Sequence, residues 1–180
     1  MHGILFLELH KFAISELGTA GWRSAQTASG LRAETYLASK TYPDEDLVAR
    51  VVAVAEASKK DVDSVLQAFG AFIVPDLVAT YGPFIDPSWK TLDLLANTEE
   101  QIHKAVRLNT PGATPPDLRI VRDGPSAVVL TYSSARKLCA VAKGIAAGVA
   151  AHFGERMVIT EARCQHQGAA SCEIRFEVTG

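Results

Sequence analysis

Leu118-Arg119-Ile120-Val121-Arg122-Asp123-Gly124-Pro125-Ser126-Ala127-Val128-Val129-Leu130-Thr131-Tyr132 is the stretch that decides the fold. Two short runs rich in β-branched and apolar residues, Leu118 to Val121 and Ala127 to Tyr132, flank Asp123-Gly124-Pro125. That arrangement reads as a β-hairpin. Downstream comes an alanine-rich helical segment from about Ala135 to Phe153, stopping before Gly154. Met157 to Ala162 and Cys172 to Val178 then read as two more strands, joined by the loop Gln165 to Ser171. Strand-strand-helix-strand-strand implies an antiparallel four-stranded sheet with a helix packed on it.

Upstream of Pro115-Pro116 the period changes from two to that of a helix. Gly3 to Leu17 carries Leu5, Leu9, Phe12 and Leu17 at helical spacing, with Gly18 as the expected stop. After a loop around Ala28 to Gly30, Asp44 is the expected cap of a helix whose apolar face includes Leu47, Val51, Val54 and Ala55. Asp61 is the expected cap of a third helix through Val65, Leu66 and Phe69. Thr98-Glu99-Glu100-Gln101 matches a capping box, so a helical start or restart is expected there, with His103 near the beginning of that segment. Helices first and strands later make the chain α+β, with a helical N-terminal lobe and a C-terminal lobe built on the sheet. The chain has no internal repeat, low-complexity tract or flexible linker, so residues 1–180 are expected to form one domain.

Composition narrows the classes. Hydrophobic residues make up 48% of the 180 positions and charged residues 21%, the profile of a packed globular chain. A formal net charge of -2 argues against a nucleic-acid surface or a polybasic membrane patch. No apolar stretch is expected to reach bilayer length, and Met1-His2-Gly3 opens no signal peptide, so a soluble cytoplasmic protein is expected. The three cysteines, Cys139, Cys164 and Cys172, are an odd number that fits a disulfide framework poorly. Free thiols or metal ligands suit a reducing cytosol better.

Tyr132-Ser133-Ser134-Ala135-Arg136 closes the hairpin. In extended backbone, residues two apart project to one side, so a phenol, a hydroxyl and a guanidinium can converge. Such a set suits a ligand with carboxylates, which arginine grips in a forked, charge-assisted geometry. Alone, the pattern is weak, and an Arg136 that merely opens a helix beside a strand-end Tyr and Ser explains it as well. The segment nevertheless fits the Tyr-x-Ser-x-Arg signature of the H-NOX family, the haem-nitric oxide/oxygen binding domains, and other landmarks fall in register with it. These are Met1 and Gly3, Phe69-Gly70, Ile102-His103-Lys104-Ala105-Val106, Gly112-Ala113-Thr114-Pro115-Pro116 and the alanine-rich helix after Arg136. The chain resembles that family over nearly its whole length, without a large insertion.

The resemblance implies a haem b cofactor with its iron on His103 and its propionates held by Tyr132, Ser134 and Arg136. Pro116 would pack against the macrocycle. Neutral imidazole is a suitable axial ligand for iron in gas-binding haem proteins. Relatives that hold oxygen stably carry a distal tyrosine; that position here is Val141, with Leu5, Leu77 and Ile145 as the other pocket residues. None of the four can donate a hydrogen bond, which favours nitric oxide, with carbon monoxide as a weaker ligand, over oxygen. The resemblance further implies that nitric oxide weakens the iron–histidine bond, that the histidine helix moves, and that a separate partner such as a histidine kinase or cyclic-di-GMP enzyme reads the change.

Some bacterial members also hold structural zinc on residues that resemble Cys139, Cys164 and Cys172, with a histidine where this chain has Glu161. Glu161 and His166 are both open as the fourth ligand, since zinc accepts carboxylate and imidazole alike. The same thiols could instead stay unligated or act as a redox pair. Two other classes compete with a gas sensor. One is a haem enzyme acting on nitric oxide or peroxide, although the expected distal wall offers no acid–base group. The other is a haem-free zinc/thiol redox-sensing domain.

Overall fold

A computed structural model describes residues 1–32, 35–109 and 113–179. Its helices, in chain order, begin with α1 (Gly3–Ala28), α2 (Asp44–Ser58), α3 (Val62–Phe72) and α4 (Val74–Tyr81). α5 (Thr91–Asn97) runs through a π-helical turn (Thr98–His103) into α6 (Lys104–Asn109). Strands β1 (Asp117–Arg122) and β2 (Ala127–Ser133), helix α7 (Cys139–His152), and strands β3 (Arg156–Arg163) and β4 (Cys172–Thr179) complete the order. The chain therefore has the expected α+β architecture.

The four strands lie in the order β1-β2-β4-β3, every pair antiparallel. Opposed residues share a face, and the pairs Leu130↔Ile174, Val128↔Phe176 and Tyr132↔Cys172 put one apolar row inward. Val128, Leu130, Ile174 and Phe176 are all buried there, packed with Leu92 and Leu95 of α5 and Ala146 of α7. A second core gathers α1, α2 and α3 around Phe6, Leu9, Leu47, Val54 and Phe69.

Helix α7 joins the two cores because glycine lets it approach α3 backbone to backbone. A Cβ on Gly144 would stand 2.0 Å from the Gln67 carbonyl oxygen, and one on Gly70 would stand 2.4 Å from the Val141 carbonyl oxygen. No side-chain-bearing residue fits at such a crossing.

Several expectations are corrected. Gly18 does not end the first helix: it kinks it, at φ 69 and ψ 164, and helical structure resumes to Ala28. Asp44 is not a cap but the first helical residue after Pro43, and its carboxylate is taken by charges from elsewhere in the chain. Thr98 forms no capping box: its Oγ1 donates to the Leu94 carbonyl, and the helical path passes there from α5 into the π turn, with His103 as the turn's last residue and α6 starting at Lys104. The alanine-rich helix begins at Cys139 rather than Ala135, since Lys137 adopts a left-handed φ of 51 and Ser134 Oγ accepts from the Arg136 N–H. Asp61 caps α3 as expected, accepting from Ser64 N at 2.8 Å. The run Val62–Phe84 is long and apolar enough to cross a membrane by length and composition, against the sequence expectation. Its apolar residues Val65, Phe69, Ile73 and Val74 are buried in the protein's own core.

Candidate functional site

Between the helical lobe and the sheet lies a cavity of about 290 Å³. The helical lobe contributes Leu5, Phe69, Ile73, Val74 and Leu77, and the sheet contributes Leu118, Ile120, Leu130 and Phe176. Helix α7 adds Val141 and Ile145, which the Gly70–Gly144 crossing brings to the wall. Every residue named from the sequence as a haem contact lines this one space: His103, Pro116, Tyr132, Ser134, Arg136, Leu5, Leu77, Val141 and Ile145. Gly112 of the expected loop lies outside the described residues, whereas Ala113 to Pro116 line the cavity.

His103 reaches the wall from the end of the π turn, a rare geometry that concentrates at functional sites. Its side chain is 15% exposed. Burial disfavours the charged ring and holds its pKa below the usual histidine value, although Glu99 and a backbone acceptor at Pro116 oppose that shift. Glu99 Oε2 lies 2.8 Å from His103 Nδ1. Burial resists ionisation of Glu99, but Arg107 and His103 outweigh it and keep the carboxyl below its ordinary range.

Tyr132, Ser134 and Arg136 meet at the cavity, though not by strand alternation alone. β2 ends at Ser133, and the turn around Lys137 swings Arg136 back. The buried Tyr132 accepts the Leu138 N–H on its hydroxyl. Arg136 donates from Nε to Asp44 Oδ2 at 2.6 Å, from Nη2 to Thr114 Oγ1 at 2.7 Å, and from Nη1 to the Thr114 carbonyl. Guanidinium has five N–H donors, so two remain for a carboxylate. An apolar slot with an imidazole on its wall and a partly free guanidinium beside a hydroxyl fits haem, a flat apolar ring with two carboxylates. Asp, Glu and Lys are absent from the described lining.

Away from this cavity, the three cysteines converge where α7 begins and β4 begins. Cys139 Sγ and Cys172 Sγ each lie 3.8 Å from Cys164 Sγ. Glu161, paired with Ile174 and hence on the inward face, joins them, and the four ligand atoms lie within 4.8 Å of one another. A bulge between Glu161 and Arg163 re-aims the end of β3 at that corner. His166 is outside the group; its Nε2 is 2.7 Å from the Lys137 carbonyl. Burial, then the neighbouring thiols, pushes the Cys139 pKa far up, and burial raises that of Cys164. Sequence reasoning missed Glu99, Asp44 and Thr114 as partners of the site. Only Glu99 carried a signal, its four-residue spacing from His103, and the capping-box pattern concealed it.

A four-stranded sheet and a helical lobe enclosing an apolar, histidine-bearing cavity with an arginine at its edge define a small cofactor-binding domain. A family model described as Haem-NO-binding matches residues 2–161, and the chain belongs to that family. Among solved structures, it is similar to an H-NOX protein from S. oneidensis in the Fe(II)NO ligation state, at 26% identity, a TM-score of 0.91 and 100% coverage of both chains. An H-NOX domain from Shewanella oneidensis in the Fe(II)CO state matches at 26% identity and a TM-score of 0.88, covering 100% of this chain and 99% of that one. An unliganded Fe(II) H-NOX protein from K. algicida, 17% identical with a TM-score of 0.86 over 100% and 97% of the chains, shares the fold. No curated protein sequence matches.

Proposed function

We propose that the chain is a haem-based sensor of nitric oxide, with carbon monoxide as a weaker ligand, and not an enzyme. The observation that carries this reading is the cavity whose wall brings His103, Tyr132, Ser134 and Arg136 together with a mostly apolar lining. Bound ferrous haem supplies an open coordination position for a diatomic gas. His103 holds the proximal side with a neutral imidazole, and Glu99 on Nδ1 leaves Nε2 as the atom that turns to the metal. Arg136 and Ser134 bind the propionates, Tyr132 supports the turn that carries them, and Pro116 packs against the ring.

Leu5, Leu77, Val141 and Ile145 line the gas side and offer no donor. A ligand that depends on a hydrogen bond, such as oxygen, gains nothing from these four side chains, whereas nitric oxide needs none. Release of His103 would let the π turn and α6 shift, and a separate signalling protein such as a histidine kinase or cyclic-di-GMP enzyme would read that movement. Residues 1–180 act as one haem-binding unit in the cytoplasm, a setting that suits three free thiols. Cys139, Cys164 and Cys172 hold a structural zinc, with Glu161 as fourth ligand.

The test is anaerobic reduction of haem-loaded protein followed by titration with nitric oxide, carbon monoxide and air. The Soret band should shift with the first two and show no stable ferrous oxygen complex in air. Such a complex in air would overturn the selectivity argument. A His103→Ala variant should fold but hold haem without a proximal protein ligand, and added imidazole should fill the position.

A further inference from the structure

Glu99, His103 and Arg107 recur every four residues along the π turn and α6, which sets them on one helical face. The hydrogen bonds run in sequence. His103 Nδ1 is 2.8 Å from Glu99 Oε2, and Glu99 Oε1 accepts from Arg107 Nη2. Glu99 and His103 are shielded, with side chains 26% and 15% exposed, while Arg107 stands further out at 42%. The imidazole therefore carries a fixed carboxylate on the nitrogen that does not bind the metal. That carboxylate is in turn partly neutralised by a guanidinium.

A carboxylate accepting the Nδ1 proton shifts electron density into the ring and makes the other nitrogen a stronger donor. Hydrogen bonding to an axial ligand is one of the protein's main controls on haem iron. We infer that Glu99 is a positioning residue that sets the strength of the bond between His103 and ferrous iron, and that Arg107 moderates it by drawing on the same carboxylate. This rests on the reading of His103 as the iron ligand. A stronger donor favours the ferric over the ferrous state. It also resists release of the imidazole when nitric oxide occupies the opposite position. The Glu99–Arg107 pair thus sets where the sensor stands between keeping and releasing His103, and a released ring would still be tethered through Nδ1.

The experiment compares haem-loaded wild type with Glu99→Gln, Arg107→Gln and His103→Ala. Three quantities are read: the iron–histidine stretching frequency of the ferrous protein by resonance Raman, the midpoint potential, and the five-coordinate fraction of the nitric oxide complex. Glu99→Gln keeps an acceptor but removes the charge. It should lower the stretching frequency, raise the potential and increase the five-coordinate fraction. Arg107→Gln leaves Glu99 un-neutralised and should move all three the opposite way. A merely structural role would move both variants in the same direction, and that result would overturn the inference, as would wild-type values in Glu99→Gln. If Glu99→Gln fails to retain haem, Arg107→Gln decides alone: an upward stretch supports the inference, and an unchanged or downward one sinks it. Persistence of the stretch in His103→Ala would instead show that His103 is not the ligand. Its loss there, beside wild-type values in Glu99→Gln, would sink this inference and leave that reading standing.

Discussion

Arg136 commits three N–H donors to Asp44 and Thr114, which makes it a strut, and two donors are left for the propionate role proposed for it. Replacing it with alanine removes the strut from the Thr114–Pro116 loop and the charge from the propionate side together. Arg136→Ala should therefore lose haem faster than Ser134→Ala. A charge-assisted hydrogen bond is worth about 1.5–3 kcal/mol, against about 1 kcal/mol for a neutral one. Haem transfer to an excess of a scavenging protein measures both rates, and equal rates would count against the propionate assignment. Val141 poses the opposite question, because its side chain lines the cavity while its carbonyl lies beside Gly70. Val141→Tyr should raise oxygen affinity by supplying a donor, at an overpacking cost of about 1–3 kcal/mol. Oxygen titration and thermal melting separate the two effects; unchanged oxygen binding in a well-folded variant would mean that the phenol misses the gas side.

The α3–α7 crossing shows how much an element can depend on one missing Cβ. Gly144→Ala would press a methyl group to within 2.0 Å of the Gln67 carbonyl oxygen, which is backbone and cannot rotate aside. The helices must separate, at a cost of about 1–3 kcal/mol or more, and Val141 and Ile145 move with α7. A lower urea midpoint and altered carbon monoxide affinity are expected together. A variant as stable as wild type would show that the contact relaxes freely. That crossing was not legible in the sequence, since an alanine-rich helix with glycines reads the same whether or not its glycines touch a neighbour. Strands were legible, because alternation and the Asp123-Gly124-Pro125 turn are local signals; Gly124 takes the left-handed φ of 76 that such a turn requires. Helix ends were less so. Asp44 and Thr98 have the chemistry of caps, but Met1 and Arg136 claim the first carboxylate and the Leu94 carbonyl claims the second hydroxyl. The family register singled out His103, whereas the four-residue spacing of Glu99 from it was hidden by the capping-box pattern.

At the scale of the whole molecule, polar junctions tie distant parts of the chain together, and two of them bear on the candidate sites. Asp44 bonds the Met1 amine at 2.7 Å and Arg136 at 2.6 Å, joining the helical lobe to the turn that follows β2. Burial opposes its ionisation, but the amine and guanidinium prevail and hold its pKa below the usual aspartate value. A depressed carboxyl stabilises the fold above its unfolded pKa and loses that contribution as pH falls through the folded value. Asp44→Asn should accordingly flatten the acid limb of the stability curve, read by thermal melting below pH 4–5 (roughly the range in which carboxylates titrate). The cysteine corner is the second junction, between the start of α7 and the final hairpin. With their pKa values pushed up, Cys139 and Cys164 are protonated at neutral pH unless a cation displaces the protons, so zinc binding should weaken as pH is lowered. Three thiolates and Glu161 would carry four negative charges, which Zn²⁺ and the Lys143 ammonium, 3.3 Å from Glu161, offset in large part. Protein prepared under reducing conditions should contain about one zinc per chain, as expected of a four-ligand structural site. Glu161→Gln should weaken it more than His166→Ala, because His166 faces the Lys137 carbonyl instead. Cys139 opens the helix that carries Val141 two residues later, so a chelator should lower the melting temperature and also speed haem loss. Metal analysis and haem-transfer rates on the same sample decide the matter: full thiol reactivity with no zinc present would remove the metal from this corner and leave the haem cavity untouched.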